Sequence, residues 1–148
     1  MKEGRGYTVL CLAFAIVIML VLIAGMFLMP AAMRLYIKIT ERPEAIIPGV
    51  LRTYYFVAPP TVGGLVLLCK LLLNMLNGEV FEVKNAKLLR LICIFAVIAS
   101  LLCVVLGYRY LPIVICAVAG VFISLILAVL SRLFYAAAKI KAENELTI

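Results

Sequence analysis

The sequence predicts an all-α integral membrane protein, a bundle of four membrane-spanning helices with both termini in the cytoplasm. Hydrophobic residues make up 68% of the 148-residue chain and charged residues only 14%, whereas soluble domains are about half apolar and about a quarter charged. Four apolar stretches occupy residues 9–29, 53–77, 91–108 and 110–131. Each is close to the ~20 residues that cross a ~30 Å hydrocarbon core.

One transmembrane domain accounts for the whole chain, residues 1–148. The longest polar segments, residues 30–52 and 78–90, are too short to enclose a core, because free-standing domains usually need more than ~40 residues. We expect the spans at about residues 7–29, 50–76, 86–108 and 111–134.

The first predicted helix begins near Gly6 and ends near Pro30, because proline opposes a continuing helix. The apolar residues then alternate over residues 33–39, which favours a short extended or interfacial segment. Pro43 and Glu44 have the pattern of a first helical turn. We therefore expect an irregular connection before the second span.

The second predicted helix starts near Gly49 and contains Pro59 and Pro60. These prolines should bend it, because each removes an intrahelical hydrogen bond. The bend is either a hinge or a static kink that lets two helices pack. Lys70 is the one charge inside a span, and it either extends toward the headgroups or makes a polar contact within the membrane.

A compact turn is predicted between spans 2 and 3. Gly78 can end helix 2 in the left-handed conformation, and Glu82 can favour the start of helix 3 by its charge. Spans 3 and 4 are joined by residues 108–112, which are too few for anything but an antiparallel hairpin, with Pro112 in the first turn of helix 4.

Small residues recur every four positions in the fourth helix, at Cys116, Gly120, Ser124 and Ala128. Such a face allows close approach of another helix backbone. It serves either packing within the monomer or a homo-oligomer through the Gly120 face.

The distribution of basic residues sets the predicted orientation. With the N-terminus inside, nine basic residues lie on inner segments, namely Lys2, Arg5, Lys70, Lys84, Lys87, Arg90, Arg132, Lys139 and Lys141. Five lie on outer segments, namely Arg34, Lys38, Arg42, Arg52 and Arg109. This asymmetry favours cytoplasmic termini. The basic residues that give the net charge of +7 flank the spans and do not form a stripe that could follow a nucleic-acid backbone. We therefore expect contact with the lipid bilayer and no direct nucleic-acid binding.

The residue types argue against catalysis. The sequence contains no His, Asp or Trp, and its carboxylates lie outside the spans, so no nucleophile, base and orienting group can be assembled within them. The five cysteines form no CxxC pair, and metal sites need closer spacing with His or polar partners. We expect no enzyme activity, no cofactor and no metal site.

The spacing of residues between spans 2 and 3 resembles that of a known family. Gly78, Phe81, Asn85 and the pair Leu89-Arg90, with the tail at residues 141–148, resemble bacterial proteins of the domain-of-unknown-function 2975 family. The resemblance implies a small four-span protein of the bacterial inner (cytoplasmic) membrane without established biochemistry. Such proteins are often encoded beside a small helix-turn-helix regulator of the Cro/C1 type.

These observations lead to a hypothesis of a non-enzymatic membrane partner of a cytosolic protein, such as a helix-turn-helix transcription regulator. Bilayer residence does not require an aromatic residue in a polar turn or a polar tail. We therefore predict one partner surface formed by Phe81, Asn85, Lys87, Arg90, Glu143 and Leu146. The alternative is a small transporter, or a toxin-immunity or stress factor, that acts within the bilayer.

Overall fold

The structure, a computed structural model, describes residues 2–41, 43–108 and 111–146, with the side chains of residues 5–41, 43–108 and 111–144. Within these residues the chain forms four long helices, α1 (Lys2–Thr40), α2 (Ile47–Leu76), α3 (Val83–Gly107) and α4 (Leu111–Leu146). A short 3₁₀ turn, Glu44–Ile46, precedes α2. The prediction of an all-α fold with four helices is confirmed.

Each helix packs mainly against its neighbours in sequence, and the short connections between neighbouring helices make them antiparallel. The most extensive contacts join α3 to α4, followed by α2 to α3 and then α1 to α2. The start of α1, the connection between α2 and α3, and the end of α4 therefore lie at the same end of the molecule, which we call the termini end. The two other connections lie at the opposite end, which we call the hairpin end.

Helix α1 does not end near Pro30, so that prediction is wrong; the helix continues through the proline to Thr40. Pro30 has no N–H to donate to the carbonyl oxygen of Met26, four residues earlier. The hydroxyl of Tyr55 in α2 donates a hydrogen bond to this oxygen at 2.8 Å. The carbonyl group freed by the proline is thus satisfied from the neighbouring helix, which is how transmembrane helices tolerate proline.

The C-terminal part of α1 is helical, so the alternative of a short extended segment over residues 33–39 is wrong, whereas the interfacial alternative stays a prediction. Met33 and Ile37, four residues apart, are buried on one face of the helix. The Thr40 hydroxyl donates a hydrogen bond to the Tyr36 carbonyl oxygen at 2.7 Å. The chain then leaves the helix at Glu41, whose φ of 52° is left-handed and ends the helical course.

Tyr54 fixes α1 against α2. Its hydroxyl donates a hydrogen bond to the Leu22 carbonyl oxygen at 2.7 Å. The same hydroxyl lies over Gly25, where a Cβ atom would overlap it. Glycine at position 25 therefore permits the close approach that this hydrogen bond needs.

A buried apolar cluster joins the other three helices near the termini end. Leu71 of α2 packs with Leu89 and Ile92 of α3, and Leu127 and Phe134 of α4 pack against these residues. At this end the molecule has a core that involves more than one helix pair.

Two residues of the small-residue face of α4, Gly120 and Ser124, pack against α3, whereas Cys116 is exposed. Ser124 is 2% exposed, and its carbonyl oxygen accepts a hydrogen bond from the Cys93 thiol at 3.2 Å. A Cβ atom at Gly120 would overlap the hydroxyl oxygen of Ser100 in α3. Packing within one chain is therefore one use of this face, and a homo-oligomer through it stays a prediction.

Large apolar side chains are exposed along all four helices, including Phe27 of α1, Phe56 of α2, Leu101 of α3 and Phe122 of α4. Water would make such a surface aggregate, whereas lipid is as apolar as the side chains themselves. Each helix is also long and apolar enough to cross a membrane. These properties indicate a multi-pass membrane protein.

Candidate functional site

The turn between α2 and α3 has a defined backbone structure. Gly78 adopts the left-handed conformation, with φ of 85°, and its N–H donates to the Met75 carbonyl oxygen at 3.1 Å. The N–H of Glu79 donates to the Asn74 carbonyl oxygen, also at 3.1 Å. This pair of hydrogen bonds is a Schellman motif, which satisfies the last carbonyl groups of α2. The prediction that Gly78 ends the second helix in this way is confirmed.

Asn85 is the centre of this turn. Its side chain is completely buried, and its amide nitrogen donates to the carbonyl oxygens of Glu79 and Val80, the latter at 3.0 Å. Its amide oxygen accepts a hydrogen bond from the side chain of Asn74 in α2 at 2.8 Å. Asn85 was predicted to belong to the partner surface, whereas its burial removes it from the surface. It holds α2, the turn and α3 together.

Phe81 joins the turn to α4. Its ring centroid lies 5.7 Å from that of Phe134, with the rings tilted by 41°, within the range of favourable aromatic pairs. Phe81 is nevertheless 48% exposed. One part of the ring is packed and the other part faces outward.

Three carboxylates near the termini end, those of Glu79, Glu82 and Glu143, form ion pairs. Lys84 contacts Glu79 at 2.5 Å and Glu82 at 3.1 Å. Glu143 lies 3.9 Å from Lys139, one turn earlier on α4. All of these side chains are exposed enough for the pairs to contribute little to stability.

Lys87 and Arg90 line a groove of about 640 Å³ between α3 and α4, together with Arg132 and Tyr135. Of the predicted partner surface, the structure thus places Phe81 on the turn and two basic residues in this groove. Glu143 lies further along α4. The side chain of Leu146 is outside the described residues, as is the whole of Arg109.

Two residues important to this end were not predicted from the sequence. Asn74 binds the side chain of Asn85, and Phe134 packs against Phe81. Each is distant in sequence from its partner, by 11 residues for the asparagine pair. For Asn74 the sequence did contain a signal, because one side-chain amide lies in the last turn of helix 2 and another in the first turn of helix 3.

The other predicted site residues lie in α2. The helix continues through Pro59 and Pro60, whose missing N–H groups leave the carbonyl oxygens of Tyr55 and Phe56 without their usual donors. The hinge stays a prediction. Lys70 is exposed, lies within two turns of the end of α2, and forms no ion pair within the described residues. This position suits a side chain that extends to the headgroups.

In the part of the chain that the structure describes, no group of three or more His, Cys, Asp or Glu side chains is arranged to hold a metal ion. The five cysteines, Cys11, Cys69, Cys93, Cys103 and Cys116, are free thiols.

A family model described as "Protein of unknown function (DUF2975)" matches residues 6–148, nearly the whole chain. This match confirms the resemblance drawn from the turn and the tail. No curated protein and no solved structure matches the chain.

Proposed function

We propose that this chain, which belongs to the DUF2975 family of proteins of unknown function, is a non-enzymatic membrane protein that binds a cytosolic protein at its termini end. The observation that carries the proposal is an exposed aromatic ring on a rigid turn. Phe81 is 48% exposed, although it follows directly on a Schellman motif locked by Asn85. A fixed aromatic side chain is a common energetic centre of an interface, because little entropy is lost when it binds.

The C-terminal part of α4 extends this surface. The 36 residues of α4 span about 54 Å at 1.5 Å per residue, whereas the hydrocarbon core is ~30 Å thick. The basic and polar residues from Arg132 onward therefore lie beyond the core. Because Phe134 packs against Phe81, this segment starts beside the turn, and together they form a surface with an apolar centre and a polar rim.

The partner we propose is a small helix-turn-helix regulator, with the membrane protein in the bacterial inner membrane and both termini in the cytoplasm. The excess of basic residues at the termini end supports this orientation. The choice of this partner follows from the resemblance to the family, whose members are often encoded beside such a regulator.

Co-purification with a small helix-turn-helix regulator encoded beside this protein tests the proposal. Phe81→Ala removes both the exposed ring and its packing against Phe134, so we expect at least about a tenfold loss of bound regulator. Phe134→Ala removes the same ring pair but leaves the Phe81 ring in place. It serves as the matched control and should retain most of the binding.

Unfolding temperature in detergent is measured for both variants. Equal loss of regulator from the two variants, in step with loss of folded protein, would assign Phe81 to structure and remove the interface. No specific binding by the wild-type protein would contradict the proposed partner.

A further inference from the structure

We propose that the groove between α3 and α4 at the termini end binds the phosphate headgroup of an anionic phospholipid. The groove has a volume of about 640 Å³, within the ~300–1,000 Å³ of small-molecule sites. Three properties of the groove indicate this ligand: the positive charge of the rim, the position of the rim at the end of the apolar stretches, and the apolar side chains of the floor.

The rim carries uncompensated positive charge. Lys87 and Arg90 of α3 face the groove with Arg132 of α4. Within the described residues none of the three forms an ion pair, whereas Lys84 and Lys139 each have a glutamate partner. The described lining of the groove also contains no carboxylate. Two guanidinium groups and one ammonium group around one space are well suited to bind a phosphate group. Each guanidinium group can donate two parallel hydrogen bonds to the phosphate oxygens.

Arg90 and Arg132 lie where the apolar stretches of their helices end. Arg90 immediately precedes the apolar residues 91–107 of α3, and Arg132 follows the apolar residues 111–131 of α4. Both therefore mark the boundary of the hydrocarbon core on their helices. Basic pockets between transmembrane helices at this level are typical sites for anionic headgroups.

The floor of the groove is apolar and leads toward lipid. Ala86 and Ala128 leave room between the helices, and Ile94, one turn deeper than Arg90, is 47% exposed. An acyl chain can follow this surface while the phosphate stays at the rim. A soluble phosphate would leave the apolar floor uncovered, so a lipid fits the whole groove better. Tyr135 adds an aromatic side chain of the kind enriched at the interface.

Lipid binding to the purified full-length protein in a neutral detergent tests the proposal. We expect phosphatidylglycerol to bind at least about tenfold more tightly than phosphatidylcholine, since each basic residue near an anionic surface contributes about fivefold. The triple variant Lys87→Gln, Arg90→Gln, Arg132→Gln should lose this preference.

A charge-matched control separates the groove from net charge. Arg34→Gln, Lys38→Gln, Arg52→Gln removes three positive charges at the hairpin end and should keep the preference for phosphatidylglycerol. Equal loss in both triple variants would overturn the site. The single variant Arg132→Gln, at an exposed position, should lower the affinity by about fivefold and gives a readout that does not depend on the folding of the triple variant.

Competition with glycerol phosphate distinguishes a lipid headgroup from a soluble phosphate ester as the ligand. If the site takes a lipid, millimolar glycerol phosphate should not displace phosphatidylglycerol. Displacement at concentrations close to those of the lipid would identify a soluble phosphate ligand and overturn the lipid assignment, as would equal affinity for the two phospholipids.

Discussion

At the scale of single residues, Asn85 is the side chain that holds the termini end together. Its amide nitrogen reaches two backbone carbonyls of the turn, and its amide oxygen accepts from Asn74. The Asn85 side chain is completely buried, and its partners Asn74, Glu79 and Val80 are partly buried. Buried polar groups without partners are costly, so the whole network depends on this one residue.

Replacing Asn85 by alanine should lower the free energy of unfolding by about 2–4 kcal/mol, because it removes three hydrogen bonds and leaves partly buried polar groups unpaired. Equilibrium unfolding in mixed micelles measures this change. Asn144→Ala, at an exposed position, is the control and should change stability by less than ~0.5 kcal/mol. A similarly small effect of Asn85→Ala would show that the hydrogen bonds do not fix the turn.

The sequence alone could not identify this role. Asn85 lies in a polar segment, and polar residues there are normally exposed, which is why it was predicted in a partner surface. Its acceptors become available only when Gly78 turns the chain back toward α3, with φ of 85°. The glycine was predictable from its conformational freedom, whereas the partners that it brings to Asn85 were not.

At the scale of elements, α1 and α2 show that a neighbouring helix can decide where a helix ends. The rule that helices stop at proline describes a helix that must satisfy its own carbonyl groups. Here the carbonyl of Met26 is served by Tyr55, 29 residues away. The sequence contained both residues, but nothing local connects them.

A double-mutant cycle tests this account. Tyr55→Phe should lower the free energy of unfolding by about 0.5–1.5 kcal/mol in the wild type, because it removes the hydrogen bond to the Met26 carbonyl. In a Pro30→Ala background the cost should be less than about half as large, because the new N–H at position 30 serves that carbonyl.

Tyr54→Phe is the control for this cycle. Its acceptor is the Leu22 carbonyl, which does not depend on Pro30, so its cost should be the same in both backgrounds. If Tyr55→Phe also costs the same in both backgrounds, the hydroxyl does not compensate for the proline.

The helix hairpins were easier to predict than this boundary. The short connection between α3 and α4 permits only antiparallel neighbours, and Gly120 and Ser124 provide the close-packed face between them. Small residues at four-residue spacing are visible in a sequence. Which of several helices they face is settled by chain connectivity, and here it is the neighbour in sequence.

At the scale of the whole molecule, each helix packs on its neighbours in sequence, and three helices share an apolar cluster near the termini end. Helix α1 packs mainly on α2, whereas α2, α3 and α4 share the cluster around Leu71 and Leu89. The length and composition of the helices predicted four spans, because a ~30 Å core sets the length of each apolar stretch. The groove at the termini end was not predicted, since Arg90 and Arg132 meet only after α3 and α4 pair.

The most direct test is the side of the membrane to which each end is exposed. In a cysteine-free background, single cysteines replace Glu44 at the hairpin end and Asn77 and Glu143 at the termini end, all exposed positions. An impermeant thiol reagent added outside intact cells should label position 44, and positions 77 and 143 should be labelled only after permeabilisation. Labelling of position 77 or 143 from outside would contradict a termini end that faces the cytoplasm. Labelling of positions 44 and 77 from the same side would contradict the prediction that α2 spans the membrane.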